Sequence, residues 1–242
     1  MMRNVVVTGG SRGLGLAIAR KLAAAGYDVI TVARKESPQL TAAIAETRPA
    51  AIRFAPFDLG NVERIPAFVA ELRKSFGPIY GLVNNAALGS DGALSLMQNS
   101  KIEELVRLNT LSPIMLTKYM VRAMLADGGG RIVNVASIVA FTGYSGLSVY
   151  SATKASMLGF TRSLAREVGR MGVNVNAVAP GFLETEMTED MADDQRAKVA
   201  RRSALQRLPL LEDVANAVEF LLGDKANSIT GTVLTVDAGS TA

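Results

Sequence analysis

The sequence has no cysteine and no histidine among its 242 residues. Without cysteine there are no disulfides, thiolate nucleophiles or cysteine-bound zinc. Without histidine there is no Ser-His-Asp triad and no imidazole base, and most zinc and iron sites lose their usual ligand. No metal site is therefore expected. Acid–base work near neutral pH falls to Asp, Glu, Lys or Tyr with displaced pKa values. Net charge is small: 26 Lys and Arg against 22 Asp and Glu leave +4, which favours acidic or phosphorylated partners only weakly. Basic clusters interleaved with aromatics are missing, so nucleic acid is not an expected partner. The uncharged stretch 132–153 is long enough to resemble a membrane span. Asn134, Ser137, Gly143, Ser145, Gly146 and Ser148 interrupt it, and no membrane partner is expected. The first residues, MMRNVVVTGG, hold three consecutive valines before turn residues, too few for a signal-peptide core. A cytoplasmic protein is the expectation.

What is present is a rhythm. β-branched and apolar runs predict strands near 3–8, 27–33, 52–57, 81–84, 132–136, 174–178 and 232–236. Helical spacing falls between them, at 13–25, 61–75, 100–125, 148–170 and 212–222. Such alternation implies parallel strands joined by right-handed crossovers. NVVVT and RIVNV read as apolar on both faces, as a sheet covered on both sides requires. With no repeat, low-complexity segment or linker, residues 1–242 form a single α/β domain. The polar, helical stretch 183–207 follows Pro180-Gly181 and breaks the rhythm. It is expected to belong to a substrate lid at about 183–210, beyond the carboxyl end of a strand, where open α/β sheets bind ligands.

Thr8-Gly9-Gly10-Ser11-Arg12-Gly13-Leu14-Gly15 joins the first strand to the first helix. Glycines let a backbone approach a pyrophosphate, and a helix N-terminus supplies amide donors. The spacing is neither GxGxxG nor a P-loop, since no Gly-Lys-Ser/Thr follows. At its position the loop predicts a dinucleotide site; the alternative is a turn with no ligand. The second strand ends Val32-Ala33-Arg34, without the carboxylate that often binds a ribose. Arg34, joined by Arg12, suits a 2′-phosphate and so NADP(H); the alternative is a solvated strand-end charge.

Tyr150 and Lys154 lie four apart in a helical stretch and share a face. Ser137 follows a strand, at its carboxyl edge. Hydride addition to a ketone makes an alkoxide that needs a proton. Tyrosine, with an ordinary pKa of about 10, is poorly matched to that task, and a nearby ammonium is expected to lower it by roughly one to three units. Ser137 could donate a hydrogen bond to the carbonyl oxygen. Taken singly, these are a helix surface pair and a turn residue.

Together the motifs resemble those of the short-chain dehydrogenase/reductases, from Val5 to about Gly239. The resemblance implies a doubly wound Rossmann fold of about seven parallel strands with helices on both faces. It assigns Tyr150 as general acid and Lys154 to the nicotinamide ribose, with Ser137 on the substrate carbonyl and Asn109 holding a relay water. It gives cofactor contacts to Gly9, Ser11, Arg12, Gly13, Leu14, Gly15 and Arg34 in the loop and after the second strand. Asp58-Leu59 resembles the pair at the adenine, and Pro180-Gly181 with Thr185 the segment at the nicotinamide carboxamide. Asn84-Asn85-Ala86 matches the family's Asn-Asn-Ala-Gly, with Ala87 in place of the glycine. From the residues alone, Asn109 could satisfy local backbone, Asp58 could cap the helix near Asn61, and Asn84 and Asn85 could be turn-formers.

Within the family the sequence looks closest to bacterial reductases of 3-oxoacyl groups held on an acyl-carrier protein. That implies a role in fatty acid biosynthesis and a homotetramer with the helices at 100–125 and 148–170 between subunits. One departure stands out: the positions expected to dock the acidic carrier near the entrance are Gly128 and Met171 here. Arg131, Arg166 and Arg170 lie close in sequence, and an arginine-rich run spans 196–207. Rival readings are an enzyme acting on a free ketone, alcohol or sugar, and a non-catalytic NADP(H)-binding regulator.

Overall fold

The computed structural model describes residues 3–48, 51–183 and 193–242, with backbone alone at 193–195. Among these, seven parallel strands form one sheet: β1 (Asn4–Thr8), β2 (Asp28–Ala33), β3 (Ile52–Pro56), β4 (Ile79–Asn84), β5 (Gly130–Val135), β6 (Val173–Pro180) and β7 (Val233–Val236). Their spatial order is 3-2-1-4-5-6-7. The chain winds outward from β1 through β2 to β3, then crosses back to β4 beside β1. That reversal opens a crevice at the carboxyl ends of β1 and β4, where such sheets take ligands. The expected doubly wound fold is what the chain adopts.

Alternation of side chains along each strand divides the core into two layers. Val5 and Val7 pack with Ile18 and Leu22 of α1 (Gly13–Ala24), Leu40 of α2 (Pro38–Glu46) and Val218 and Leu221 of a helix near the C-terminus (Leu211–Leu222). Val6 faces the other way with Ile30, Leu82 and Ile132. It meets Phe68 of α3 (Ile65–Phe76) and, from helices later in the chain (Ser112–Ala126 and Ser148–Val168), Met120 and Leu164. Each such side chain, fully buried, contributes roughly 1.5–3 kcal/mol, which is why helices cover both faces.

Three details differ from the sequence reading, in the long helix, in α2 and in RIVNV. The helix expected at 100–125 is divided into α4 (Asn99–Val106), a π-helical turn (Arg107–Leu111) and α5 (Ser112–Ala126). The cause is local: Pro113 has no N–H to give the Asn109 carbonyl four residues back. Helix α2 was not anticipated, although Ser37 caps it and Pro38 occupies its first turn, both ordinary start signals. RIVNV is not wholly apolar, because Asn134 is fully buried and hydrogen-bonded. The stretch 132–153 folds as most of β5, a short helix α6 (Val139–Thr142), a loop, and the start of α7 (Ser148–Val168). No described helix is long and apolar enough to cross a membrane. Of the proposed lid, residues 193–202 form α8 (Asp193–Arg202) and 203–210 are irregular; the terminal helix Leu211–Leu222 is α9.

Candidate active site

The glycine loop is shaped by close packing. A Cβ on Gly15 would lie 2.2 Å from the Gly9 carbonyl oxygen, so only glycine lets the first turn of α1 sit against the strand end. Gly13 has φ +52° with open space where a side chain would project. Arg12 precedes α1 in extended conformation, and its side chain does not cap the helix. The amide donors of its first turn therefore face an open, positively polarised cradle. The Gly9 amide holds the Val32 carbonyl at 2.8 Å, which ties the loop to β2.

Asn85 turns out to be a clamp. Its Nδ2 donates to the Thr8 carbonyl at 2.9 Å. The Thr8 hydroxyl accepts from the amides of Asn85 (2.9 Å) and Ala86 (3.0 Å). The ends of β1 and β4 are thereby locked side by side under the loop. Asn84 is buried below them and is no simple turn-former: its Nδ2 donates to Thr117 (2.9 Å) and Asn134 (2.8 Å). The polar chain continues from Asn134 to Thr161 at 2.9 Å. Among the described residues Asn84 Oδ1 has no hydrogen-bond partner. Ala87 is not among the residues with positive φ, so the turn does not require the family's glycine there.

Ser137 follows β5, whose pairing with β6 extends through Ala136 N to Val178 O (2.8 Å) and Ile138 N to Pro180 O (3.0 Å). Tyr150 and Lys154 come from the first turns of α7. Lys154 is 4% exposed and donates to the Val135 carbonyl at 2.8 Å. Its Nζ stands 5.7 Å from the centre of the Tyr150 ring. Burial brings the lysine down from its ordinary 10.5 to about 8. Burial pushes the Tyr150 phenol up to about 12, and a hydrogen bond with Ser137 pulls the other way. The expected lowering of Tyr150 by the lysine is thus not what this site shows: loss of hydration dominates. The phenol is held protonated.

Asn109 sits in the π-helical turn at 2% exposure. Its side-chain oxygen accepts from the Leu88 amide and its Nδ2 donates to the Leu88 carbonyl, both at 2.8 Å. It also donates to Thr153 (3.2 Å), whose hydroxyl bonds the Tyr150 carbonyl (2.7 Å). The amide is therefore committed to joining the loop after β4 to the helix of Tyr150. Sequence reasoning missed Thr153 and Thr8 as parts of this frame; hydroxyls flanking the motifs were the available signal.

The remaining candidates divide by location. Arg12 and Arg34 are exposed beside the loop. Asp58 is exposed and accepts from the Gly60 amide at 2.9 Å, a local turn and not a helix cap, with Leu59 buried beneath. Pro180 and Gly181 end β6, and Gly181 packs so closely on Asp237 that a Cβ would come within 2.8 Å. Thr185 lies outside the described residues. Gly128, Arg131, Arg166, Arg170 and Met171 do not line the entrance of their own subunit. They gather at the amino end of β5, a strand rising about 3.3 Å per residue, so roughly 20 Å from Ser137. Arg131 is also occupied by Asn174 (3.0 Å) and Asn227 (2.5 Å). In the arginine-rich run, Arg207 pairs with Asp213 at 3.0 Å, while Arg201 and Arg202 are exposed.

Comparison with known proteins agrees with this geometry. The family model described as short chain dehydrogenase matches residues 3–196. The 3-oxoacyl-[acyl-carrier-protein] reductase FabG of Escherichia coli (strain K12) is 39% identical over 97% of this chain and 95% of its own length. The protein of the same name from Aquifex aeolicus (strain VF5) is 38% identical over the same shares. A gluconate 5-dehydrogenase from Burkholderia cenocepacia J2315, solved in complex with NADP and tartrate, superposes with a TM-score of 0.93. It is 27% identical and covers 99% of this chain and 95% of its own. With a matching family model and relatives spanning its length, the chain belongs to the short chain dehydrogenase family.

Proposed function

We propose that this oxidoreductase reduces the ketone of a 3-oxoacyl group, held on an acyl-carrier protein, to the 3-hydroxyacyl form for fatty acid biosynthesis. NADPH supplies the hydride. The uncapped start of α1 and the open cradle at Gly13 suit its pyrophosphate. Ser11, Arg12, Leu14 and Gly15 would complete that contact, with Arg34 and Arg12 on the 2′-phosphate. Asp58 and Leu59 would border the adenine, Asn85 and Ala86 the adjoining ribose side, and Pro180, Gly181 and Thr185 the carboxamide.

The observation that carries the reaction is the convergence of Ser137, Tyr150 and Lys154 at the carboxyl end of β5. Tyr150, protonated at neutral pH, gives its proton to the substrate oxygen. Ser137 donates a hydrogen bond to the same oxygen as charge develops there. Lys154 spends one N–H on Val135 and keeps two for ribose hydroxyls. With its side chain engaged, Asn109 offers a relay water its main-chain carbonyl, which has no i+4 amide partner because residue 113 is proline.

The acyl substrate is supported by 39% identity to the FabG relative, against 27% to the gluconate enzyme. The mouth favours it too. Leu94 (54% exposed), Leu96 (84%), Phe141 (49%) and Tyr144 (61%) stand on the segments after β4 and β5, which approach each other where a Cβ on Gly146 would lie 3.4 Å from the Gly92 amide nitrogen. Such a lip suits a hydrocarbon chain better than a polyhydroxy acid. A homotetramer is supported by exposed Val106 and Leu111 around the junction of α4 and α5, and the setting is cytoplasmic. The 193–210 segment would act as the described part of the lid of a single domain.

Oxidation of NADPH, followed with acetoacetyl-carrier protein, a free β-keto ester and 5-ketogluconate, tests this reading. At least tenfold higher kcat/KM on the carrier substrate is expected. Equal or better activity on the ester overturns the carrier role, and preference for 5-ketogluconate overturns the acyl reading.

A further inference from the structure

Side chains, and not only backbone, hold the segment that follows β2 against the glycine loop. The Ser37 hydroxyl donates to the Ser11 carbonyl, at the middle of the loop. The same oxygen accepts from the Leu40 amide at 3.1 Å and so caps α2. One turn along, Thr41 donates to the Glu36 carboxylate at 2.7 Å, while its amide bonds the Ser37 carbonyl at 2.9 Å. Backbone contacts make the coarser alignment up to Ala33. The Gly9 amide on the Val32 carbonyl is the hydrogen bond that does so, and Gly10 lies so near the Thr31 side chain that a Cβ would come within 2.8 Å of it. Residues 34–36 are then suspended between Ala33 and Ser37, with Arg34, Lys35 and Glu36 all exposed.

This three-residue span carries two cations and one anion. A 2′-phosphate bears close to two negative charges near neutral pH, so its recognition depends on which of these side chains faces it. Left to itself the carboxylate would oppose the phosphate within a distance that salt screens poorly. The hydrogen bond from Thr41 holds Glu36 back toward α2. The hydrogen bond from Ser37 fixes how far the span stands from the loop that cradles the pyrophosphate. We propose that Ser37, assisted by Thr41, is a positioning residue for cofactor choice. Ser37 sets the spacing between the glycine loop and Arg34–Lys35, and Thr41 removes Glu36 from competition, so that the phosphorylated dinucleotide is preferred.

This rests on the NADP(H) reading above. Neither residue touches the reacting atoms, and an unphosphorylated ribose gains little from Arg34. Loss of the anchor should therefore weaken one cofactor and spare the other. A merely structural role, through the cap of α2, would weaken both alike.

The test is isothermal titration of the full chain with NADPH and with NADH, for wild type, Ser37→Ala, Ser37→Thr and Thr41→Val. Ser37→Ala is expected to weaken NADPH about tenfold and NADH less than twofold, and Ser37→Thr, which keeps donor and acceptor, to restore the ratio. Thr41→Val should shift the ratio in the same direction, and its exposed position keeps the test open should Ser37→Ala not fold. Equal weakening of both cofactors, or an unchanged ratio in a wild type that prefers NADPH, overturns the role of Ser37. A wild type that prefers NADH overturns the cofactor reading and this inference together.

Discussion

At Tyr150, burial and hydrogen bonding pull in opposite directions, and burial prevails. The outcome suits a proton donor, which must be protonated before the hydride arrives. Tyr150→Phe should lower kcat by roughly 10²- to 10⁴-fold while the Kd for NADPH, read by titration, stays within twofold. Retained turnover would mean that another group supplies the proton. Lys154 gives a stability prediction with a definite sign. Its folded pKa of about 8 lies below the ordinary 10.5. Between those values the unfolded chain holds a proton that the folded chain has lost, so stability rises with pH across that window. Below pH 8 the folded protein carries the cost of a buried ammonium. Lys154→Met abolishes this dependence. From pH 7 to pH 11 the wild type should therefore gain about 3 kcal/mol relative to the variant, measured by urea unfolding. A pH-independent difference would show that the lysine is not desolvated as described.

At the scale of elements, the segments after β4 and β5 would form the mouth proposed for the acyl chain. If Leu96 and Phe141 hold the acyl chain, kcat/KM should climb with chain length, by up to about fourfold per added methylene where burial is complete. Leu96→Ser with Phe141→Ser should flatten that slope and leave the four-carbon substrate unchanged. A slope unaffected by both changes would place the chain elsewhere. These elements also mark what could be read in advance. The glycine loop and the Tyr150–Lys154 pair were legible because their geometry is local: a strand–helix turn and one helix face. Parallel pairing of the strands followed from alternation. Asn109 bonding Leu88, 21 residues away, and Ser37 bonding Ser11, 26 away, had no local signature. The division of the long helix did have one, in Pro113, which periodicity alone overlooks. Gly128 and Met171 were placed at the entrance by analogy, whereas the direction of β5 sets them at the far end of the sheet.

Across the whole molecule, the sheet is a stack of interchangeable valines, leucines and isoleucines crossed by one chain of amides and hydroxyls, Thr117–Asn84–Asn134–Thr161. Asn134→Leu should cost about 1–3 kcal/mol in urea unfolding, since Asn84 loses an acceptor in a dry interior. The double change Asn84→Leu with Asn134→Leu should recover much of that loss, because no amide is left stranded. If the double variant is instead as unstable as the sum of the singles, the pair does not act as a unit.

The same pair has a consequence for how the chain finds its fold. Asn84 and Asn134 stand opposite each other across β4 and β5, above Val83 facing Val133 and Leu82 facing Ile132. Sliding one strand by two residues would exchange aliphatic neighbours at little expense, but it would leave two amides buried and unmatched. The amides thus work as an address label that rejects the slipped sheet during folding. Since Asn85 follows one and Ser137 lies three beyond the other, the label also fixes how far apart along the strands the clamp and that serine emerge.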